Sequence, residues 1–391
     1  MKKLFIVAAI MAVSFVFNNA ASCNSSLEAK SKMDGGDSIK KEFNVKPEGE
    51  VNINLKTGAS IEVKGWDKDL LSAEVSGNTS KVDFNFEQND NDIEISSEYK
   101  DKGHSHNDHG IKVTVYVPQK YDVRFYTMGG QVDVDHVEGK INGKTMGGNL
   151  NFSDLKADLD VMTMGGQINF KNSDLEGLAK TMGGNVFLEN VRGSVDASTM
   201  GGNVKQINAT SDNKTNADVV NVKTMGGEIS IDKAPNGANL KTLGGNISIN
   251  YAGKFLKAET LGGNITAKEV DGEINAKTLG GNVDVTMTGN PEEGKRDVTI
   301  SSLGGDITLT VPKDLSMSVE IEISYTKNSD KDFSDCKIYS DFNIVENRID
   351  KWETRNDEQK KKYVLGSGEI NGGKNKITIK TYNGSVYLKK S

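Results

Sequence analysis

The sequence predicts an all-β chain, a single-chain parallel β-solenoid (β-helix) with 18-residue rungs and capped ends. Three observations predict it. Thr127-Met128-Gly129-Gly130 recurs at Thr145, Thr163, Thr181, Thr199 and Thr224, continues as Thr-Leu-Gly-Gly at Thr242, Thr260 and Thr278, and closes as Ser302-Leu303-Gly304-Gly305. The start-to-start spacings are 18, 18, 18, 18, 25, 18, 18, 18 and 24, so the period is 18 with two insertions. After each Gly-Gly, apolar and polar residues alternate, as in Val132/Val134, Leu150/Phe152 and Ile247/Ile249. That alternation is the period of a β-strand.

A second alternating run follows about nine residues later, as at Leu256/Ala258 and Ile274/Ala276. Each repeat therefore reads as two short strands joined by turns. Neither strand buries its apolar face alone, and stacking equivalent strands from successive repeats solves this. Val132, Leu150, Ile168, Val186, Val204, Ile229, Ile247, Ile265, Val283 and Ile307 are expected to form one inward column. Gly-Gly belongs at the corner, where a tight turn asks for positive φ and no Cβ. The next residue is Asn or Gln in eight of ten copies, which suggests an amide ladder, and the Thr a hydroxyl column. At ~4.8 Å per rung, ten rungs extend about 45–50 Å. Left-handed hexapeptide helices and calcium-binding β-rolls fit less well. Position 14 of the repeat is polar, and Gly-Gly appears once per 18 residues rather than every nine.

The N-terminus reads as an export signal. Lys2 and Lys3 precede the apolar run Leu4–Phe17, which is too short to span a bilayer and suits a signal-peptide core. Ala20-Ala21-Ser22 before Cys23 resembles a lipobox, which makes Cys23 the expected lipidation site. The expected organisation is a signal peptide (1–22), a flexible tether (23–40), an N-terminal β region and cap (41–126), the solenoid repeats (127–312), and a C-terminal cap with a final rung (313–391). Lys56-Thr57-Gly58-Ala59-Ser60-Ile61 reads as a rung one residue short, and Thr381-Tyr382-Asn383-Gly384 as a full corner.

Composition narrows function. The 391 residues include 42 Gly, 5 Pro, 2 Cys and 4 His, with a net charge of -7. Two cysteines exclude a disulfide scaffold or a Cys-based zinc ribbon. An acidic chain is a poor nucleic-acid binder, which needs a Lys/Arg surplus. Arg occurs only at 124, 192, 296, 348 and 355, and the carboxylates are scattered, so no catalytic constellation is evident. No cofactor is expected.

The ordered pieces GEVNINLKTGASIEVKGWDKD, VYVPQKYDVRFYTMGG, the repeated T-x-G-G-N-[IV], and GEINGGKNKITIKTYNGSVYL resemble the bacterial adhesin-type β-strand-repeat family. That family is similar to head-GIN and toastrack-type β-solenoid domains. The resemblance runs over roughly residues 41–390 and implies an exported, envelope-associated β-solenoid without catalytic residues.

Several features stand as candidate chemistry. His104, His106 and His109, beside Asp108, can gather a divalent metal, and a polar hairpin tip explains them equally well. The methionines of the repeat give way to Leu from Leu243 onward, so that position asks for apolar bulk and reads as core or a semi-buried ladder. Lys144, Lys180, Lys223, Lys241 and Lys277 precede the Thr and form a broken column that either meets an anionic glycan or lipid headgroup or keeps a β surface soluble. Both insertions fall in the same inter-strand turn, which marks Asn208, Asn213, Asp218, Asn290, Glu292 and Arg296 as candidate partner-binding loop residues. The expected function is a non-enzymatic structural or binding module, lipid-anchored in the cell envelope. Its expected partner is an envelope protein or glycan, and it meets the membrane by the lipid anchor alone. The alternative is an envelope-stress component that docks onto a membrane signalling protein.

Overall fold

In the computed structural model, residues 38–100, 110–208, 219–327, 332–354 and 360–391 are described. They form 30 strands and one 3-10 turn, Phe333–Asp335. The repeat builds a two-faced parallel stack. Face I holds the strands that follow Gly-Gly, such as Val132–Asp135, Leu150–Ser153, Val186–Arg192 and Val283–Met287. Face II holds those that lead into the Thr, such as Asp122–Thr127, Glu138–Thr145, Lys156–Thr163 and Val298–Ser302. In three repeats the two strands run on as one bent strand, Ile168–Thr181, Ile247–Glu259 and Ile265–Thr278. There the turn between the faces is a bend rather than a loop.

The expected inward column is present and in register. Parallel pairing joins Val132 to Leu150, Leu150 to Ile168, Ile168 to Val186, and Val186 to Val204. It continues through Ile229, Ile247, Ile265 and Val283 to Ile307. All ten side chains are buried, and both insertions leave the register intact.

The corner chemistry differs from expectation in three ways. First, positive φ is not what most Gly-Gly pairs supply: only Gly130 among the ten pairs lies in the left-handed region. The second glycine is required by close approach instead. A Cβ there would sit 1.5–2.1 Å from the carbonyl oxygen of the matching glycine one rung earlier, from Gly148 through Gly305. Second, the Thr hydroxyls do not bond one another. Each staples two rungs: Thr260 Oγ1 donates to Gly245 O (2.9 Å) and accepts from Gly263 N (3.2 Å). The pattern repeats at Thr181, Thr199, Thr224, Thr242 and Thr278, and Ser302 performs it with its own hydroxyl. Third, the corner Asn side chains accept from the backbone of the next rung rather than from the next amide, as Asn246 Oδ1 does from Asn264 N (2.8 Å). A backbone N–H at a corner has no strand partner, and an unpaired one is costly to bury, so the Asn supplies the missing acceptor.

Both chain ends intercalate. Glu50–Leu55 lies between Asp92–Tyr99 and Asp122–Thr127, and Ser60–Trp66 lies between Lys112–Pro118 and Val132–Asp135. Leu55, not Thr57, pairs with Thr127, and Ile61 with Val132. The corner at residues 56–60 is therefore one residue longer than the repeat, not shorter. At the far end Asn375–Tyr382 lies between Val298–Ser302 and Met317–Tyr325, and Val386–Lys390 between Ile307–Val311 and Ile338–Ser340. Thr381 Oγ1 donates to Gly305 O (2.6 Å), so this corner repeats the Thr staple. Antiparallel strands close the stack. Ile39–Asn44 pairs with Leu70–Ser76, and Val82–Asn89 with Asp92–Tyr99. Lys361–Ile370 pairs with both Met317–Tyr325 and Val345–Glu353. Such capping shields the rung edges that would otherwise template pairing with another chain.

Candidate functional site

The two corners of each rung form two opposite edges of the stack. The Thr-Met/Leu-Gly-Gly edge is set by a change of direction at the Thr. Thr127 through Thr278 and Ser302 point inward and are buried, so the next residue points out. Met128, Met200, Met225, Leu261, Leu279 and Leu303 are 44–49% exposed, and Met146 and Leu243 only a little less. Met164 and Met182 are half-buried. Of the two expectations for this position, core or semi-buried ladder, the structure shows the ladder: ten apolar side chains, half-buried to half-exposed, along one edge.

Beside the ladder, one residue before the Thr, face II stacks Tyr126, Lys144, Met162, Lys180, Ser198, Lys223, Lys241, Glu259 and Lys277 in register. Lys241 pairs with Glu259 at 3.2 Å. Lys144, Lys180, Lys223 and Lys277 are exposed; the first three have no carboxylate partner among the described residues, and Lys277 stands beside Glu259, whose pKa its charge helps to lower.

The opposite edge is polar. His136, Asp154, Asn172, Asn190 and Asn208 occupy equivalent turn positions with φ of 50–55°. Asn and Asp tolerate this left-handed conformation better than other side-chain-bearing residues. The first four of them, His136 to Asn190, line an open groove of ≈ 640 Å³ with Glu138, Asp174 and Arg192. At its upper end the ligand atoms of Asp135, His136 and Asp154 lie within 4.8 Å of one another, close enough to hold one divalent ion. Asp135 accepts from Ser153 Oγ (2.7 Å) and faces His136 Nδ1 at 2.8 Å. That hydrogen bond, and the charge of Asp135, raise the His136 pKa above the usual imidazole value. The sequence signal for this cluster was the fourth histidine placed 18 residues before Asp154, one rung apart.

Both insertions enter on this polar edge, after Val204–Ile207 and after Val283–Met287. Asn208, Asn290 and Glu292 are exposed there. Arg296 is not a contact residue. It is 2% exposed, and its guanidinium donates to Thr288 O (2.6 Å), Asn290 O (2.9 Å) and Glu293 O (3.0 Å) and pairs with Asp271. Three loop carbonyls and one carboxylate converge on this buried cation, so Arg296 shapes the loop from inside. Cys336 is likewise buried. Cys23, His104, His106, His109, Asn213 and Asp218 lie outside the described residues. No helix among the described residues is long and apolar enough to cross a membrane.

Comparison with known proteins places this architecture. A family model described as Toastrack DUF4097 matches residues 50–286. Curated proteins give no match. Among solved structures, a putative adhesin from Parabacteroides distasonis is similar at 13% identity and a TM-score of 0.40, covering 65% of this chain and 98% of that one. A putative adhesin from Bacteroides fragilis is similar at 16% identity and a TM-score of 0.36, covering 64% and 97%. A putative cell adhesion protein from Clostridium sporogenes is similar at 9% identity and a TM-score of 0.23, covering 91% and 100%. The family match spans more than half of the chain and takes in nine of the ten Gly-Gly corners that build the stack, and the chain belongs to the Toastrack family.

Proposed function

We propose that this chain is an exported, lipid-anchored module of the cell envelope that binds rather than catalyses. One observation carries the reading: similar side chains recur rung after rung, Met or Leu along one edge from Met128 to Leu303 and His, Asp or Asn at five successive turns of the other. A reaction centre needs different groups converging on one point. A ladder of similar groups at ~4.8 Å spacing instead offers an extended, uniform surface to an extended or repeating partner. Export and anchoring are supported by Lys2, Lys3, the apolar run Leu4–Phe17 and the small residues before Cys23. The insertions at residues 208–218 and 289–296, which enter from the polar edge, are proposed to meet an envelope protein or glycan, with Asn290 and Glu292 exposed and Arg296 holding the second loop in shape.

The test is metabolic labelling with a radioactive fatty acid, followed by membrane fractionation of wild type and Cys23→Ala. The reading expects label on the wild type alone and release of the variant from membranes. An unlabelled wild type with unchanged fractionation would remove the anchor. For the loops, trimming both insertions to the 18-residue period is expected to abolish capture of envelope components and to leave the thermal midpoint unchanged.

A further inference from the structure

The geometry points to a second membrane contact: the Met/Leu ladder and the lysine column beside it form a docking edge for an anionic lipid bilayer. The first observation is the ladder itself. Ten apolar side chains from Met128 to Leu303 stand one per rung on a single edge. At ~4.8 Å per rung they run about 43 Å. An exposed apolar strip this long is not ordinary protein surface.

The second observation is the glycine that follows each Met or Leu. The fold does not demand it. A Cβ on Gly262 would come no nearer than 3.5 Å to any atom, one on Gly280 3.7 Å, and one on Gly147 would meet nothing within 4 Å. None of these first glycines lies in the left-handed region. Yet all ten copies keep Gly here, while the neighbouring positions have diverged, Met to Leu before it and Asn to Gln, Glu or Asp beyond the second Gly. A side chain at this place would stand beside the ladder and hold a flat surface away from it. Bare backbone lets a plane press against the apolar row.

The third observation is charge. Lys144, Lys180 and Lys223 flank the ladder on the face II side with no carboxylate partner among the described residues, and Lys277 continues the row one rung from Glu259, in a chain that is acidic as a whole. Long Lys side chains keep the ammonium at the headgroups while their stems lie along apolar surface. An apolar row with a flanking basic row is the arrangement that holds peripheral proteins at an anionic interface.

The chain outside the described residues agrees with this occupant. It rests on the anchor proposed above for this point only. From Cys23 to Ser38, the first described residue, the chain extends at most about 50 Å, so an acylated chain keeps the stack within reach of the bilayer. The polar edge, where both insertions enter, then faces away from the membrane.

The test uses residues 24–391, which omit the signal peptide and Cys23 and so carry no acyl group, and which keep every described strand, the first being Ile39–Asn44; its outcome does not depend on Cys23. Co-sedimentation is measured with mixed phosphatidylcholine–phosphatidylglycerol vesicles and with pure phosphatidylcholine. The wild type is expected to bind the mixed vesicles, to lose binding at high salt, and to bind pure phosphatidylcholine roughly tenfold or more weakly, given the attraction each lysine adds near an anionic surface. Leu243→Ser, Leu261→Ser and Leu279→Ser together, and separately Lys144→Gln, Lys180→Gln, Lys223→Gln and Lys277→Gln together, are each expected to cut binding at least about tenfold. The thermal midpoints should stay in place, because these side chains face solvent. Absence of wild-type binding, or binding that survives the Leu→Ser variant, overturns the proposal. So does a ladder-dependent dimer in sedimentation equilibrium without vesicle binding, which would assign the edge to a second copy.

Discussion

The two glycines of a corner are predicted to respond oppositely to alanine, although sequence treats them alike. In Gly263→Ala the new Cβ would lie 2.0 Å from Gly245 O, 2.4 Å from its carbonyl carbon and 2.8 Å from Asn246 N. All three are backbone atoms of the preceding rung and cannot rotate aside. Restoring an ordinary contact opens the local rung spacing by about 1 Å, against a sheet spacing of ~4.8 Å. That strains the Thr260 staple, whose two hydrogen bonds measure 2.9 and 3.2 Å. Overpacking costs about 1–3 kcal/mol and each lost hydrogen bond about 1 kcal/mol, so the variant should lose ~3–5 kcal/mol. In Gly262→Ala the nearest atom is 3.5 Å away, and the change should stay within about 0.5 kcal/mol. Urea unfolding followed by far-ultraviolet circular dichroism, with hydrogen exchange at residues 245–263 as the local readout, distinguishes the two. Equal losses in both variants would refute the close-approach argument and return the pair to a generic turn.

Further predictions follow from the same contacts. Thr260→Val removes both halves of the staple and should cost ~2 kcal/mol, whereas Thr260→Ser should be nearly neutral, because Ser302 already makes the same two bonds at its own corner; thermal melts measure both. Arg296→Met leaves the carbonyls of Thr288, Asn290 and Glu293 without their donor, so limited proteolysis should begin at residues 288–296 in the variant and not in the wild type. Glu62 is bonded to Lys112 and Lys64 at 2.8 and 2.7 Å, and these hydrogen bonds lower its pKa from 4.5 to about 2. Its stabilisation is therefore present above the unfolded pKa and is lost as pH falls from about 5 toward 2, so Glu62→Gln should flatten the acid limb of the stability profile, measured by urea unfolding between pH 7 and about 2.

What was legible in the sequence was what repeats. The period, the inward column from Val132 to Ile307, and the placement of the insertions in one turn all follow from local pattern, because each rung solves the same burial problem as its neighbour. Three things were not legible. The intercalation of Glu50–Trp66 and Asn375–Lys390 is a choice of partner between strands with the same alternation, and alternation says which face is buried, not which neighbour supplies the hydrogen bonds. Whether Met128 and its equivalents pack in the core or stand as a partly exposed ladder depends on the corner: the period alone leaves both open until the adjacent Thr is known to take the inward place. The reason for the second glycine lies along the stacking axis, where the previous rung's carbonyl stands, and no single rung contains it. On the polar edge, His136 and Asp154 were 18 residues apart and so predictably stacked, but Asp135 joined them only through the outward turn of its strand end.

The most direct test of the account is the length of the apolar edge. Spin labels at Met128→Cys and Leu303→Cys sit nine rungs apart, and labels at Met164→Cys and Leu261→Cys five, counting each insertion as adding residues but no rung. Pulsed electron-electron double resonance should then give distances near 43 Å and 24 Å, in the ratio of the rung numbers at ~4.8 Å each. Distances that track residue separation instead, or a break in scaling across either insertion, would contradict a continuous stack and with it the uninterrupted edge on which the functional reading stands.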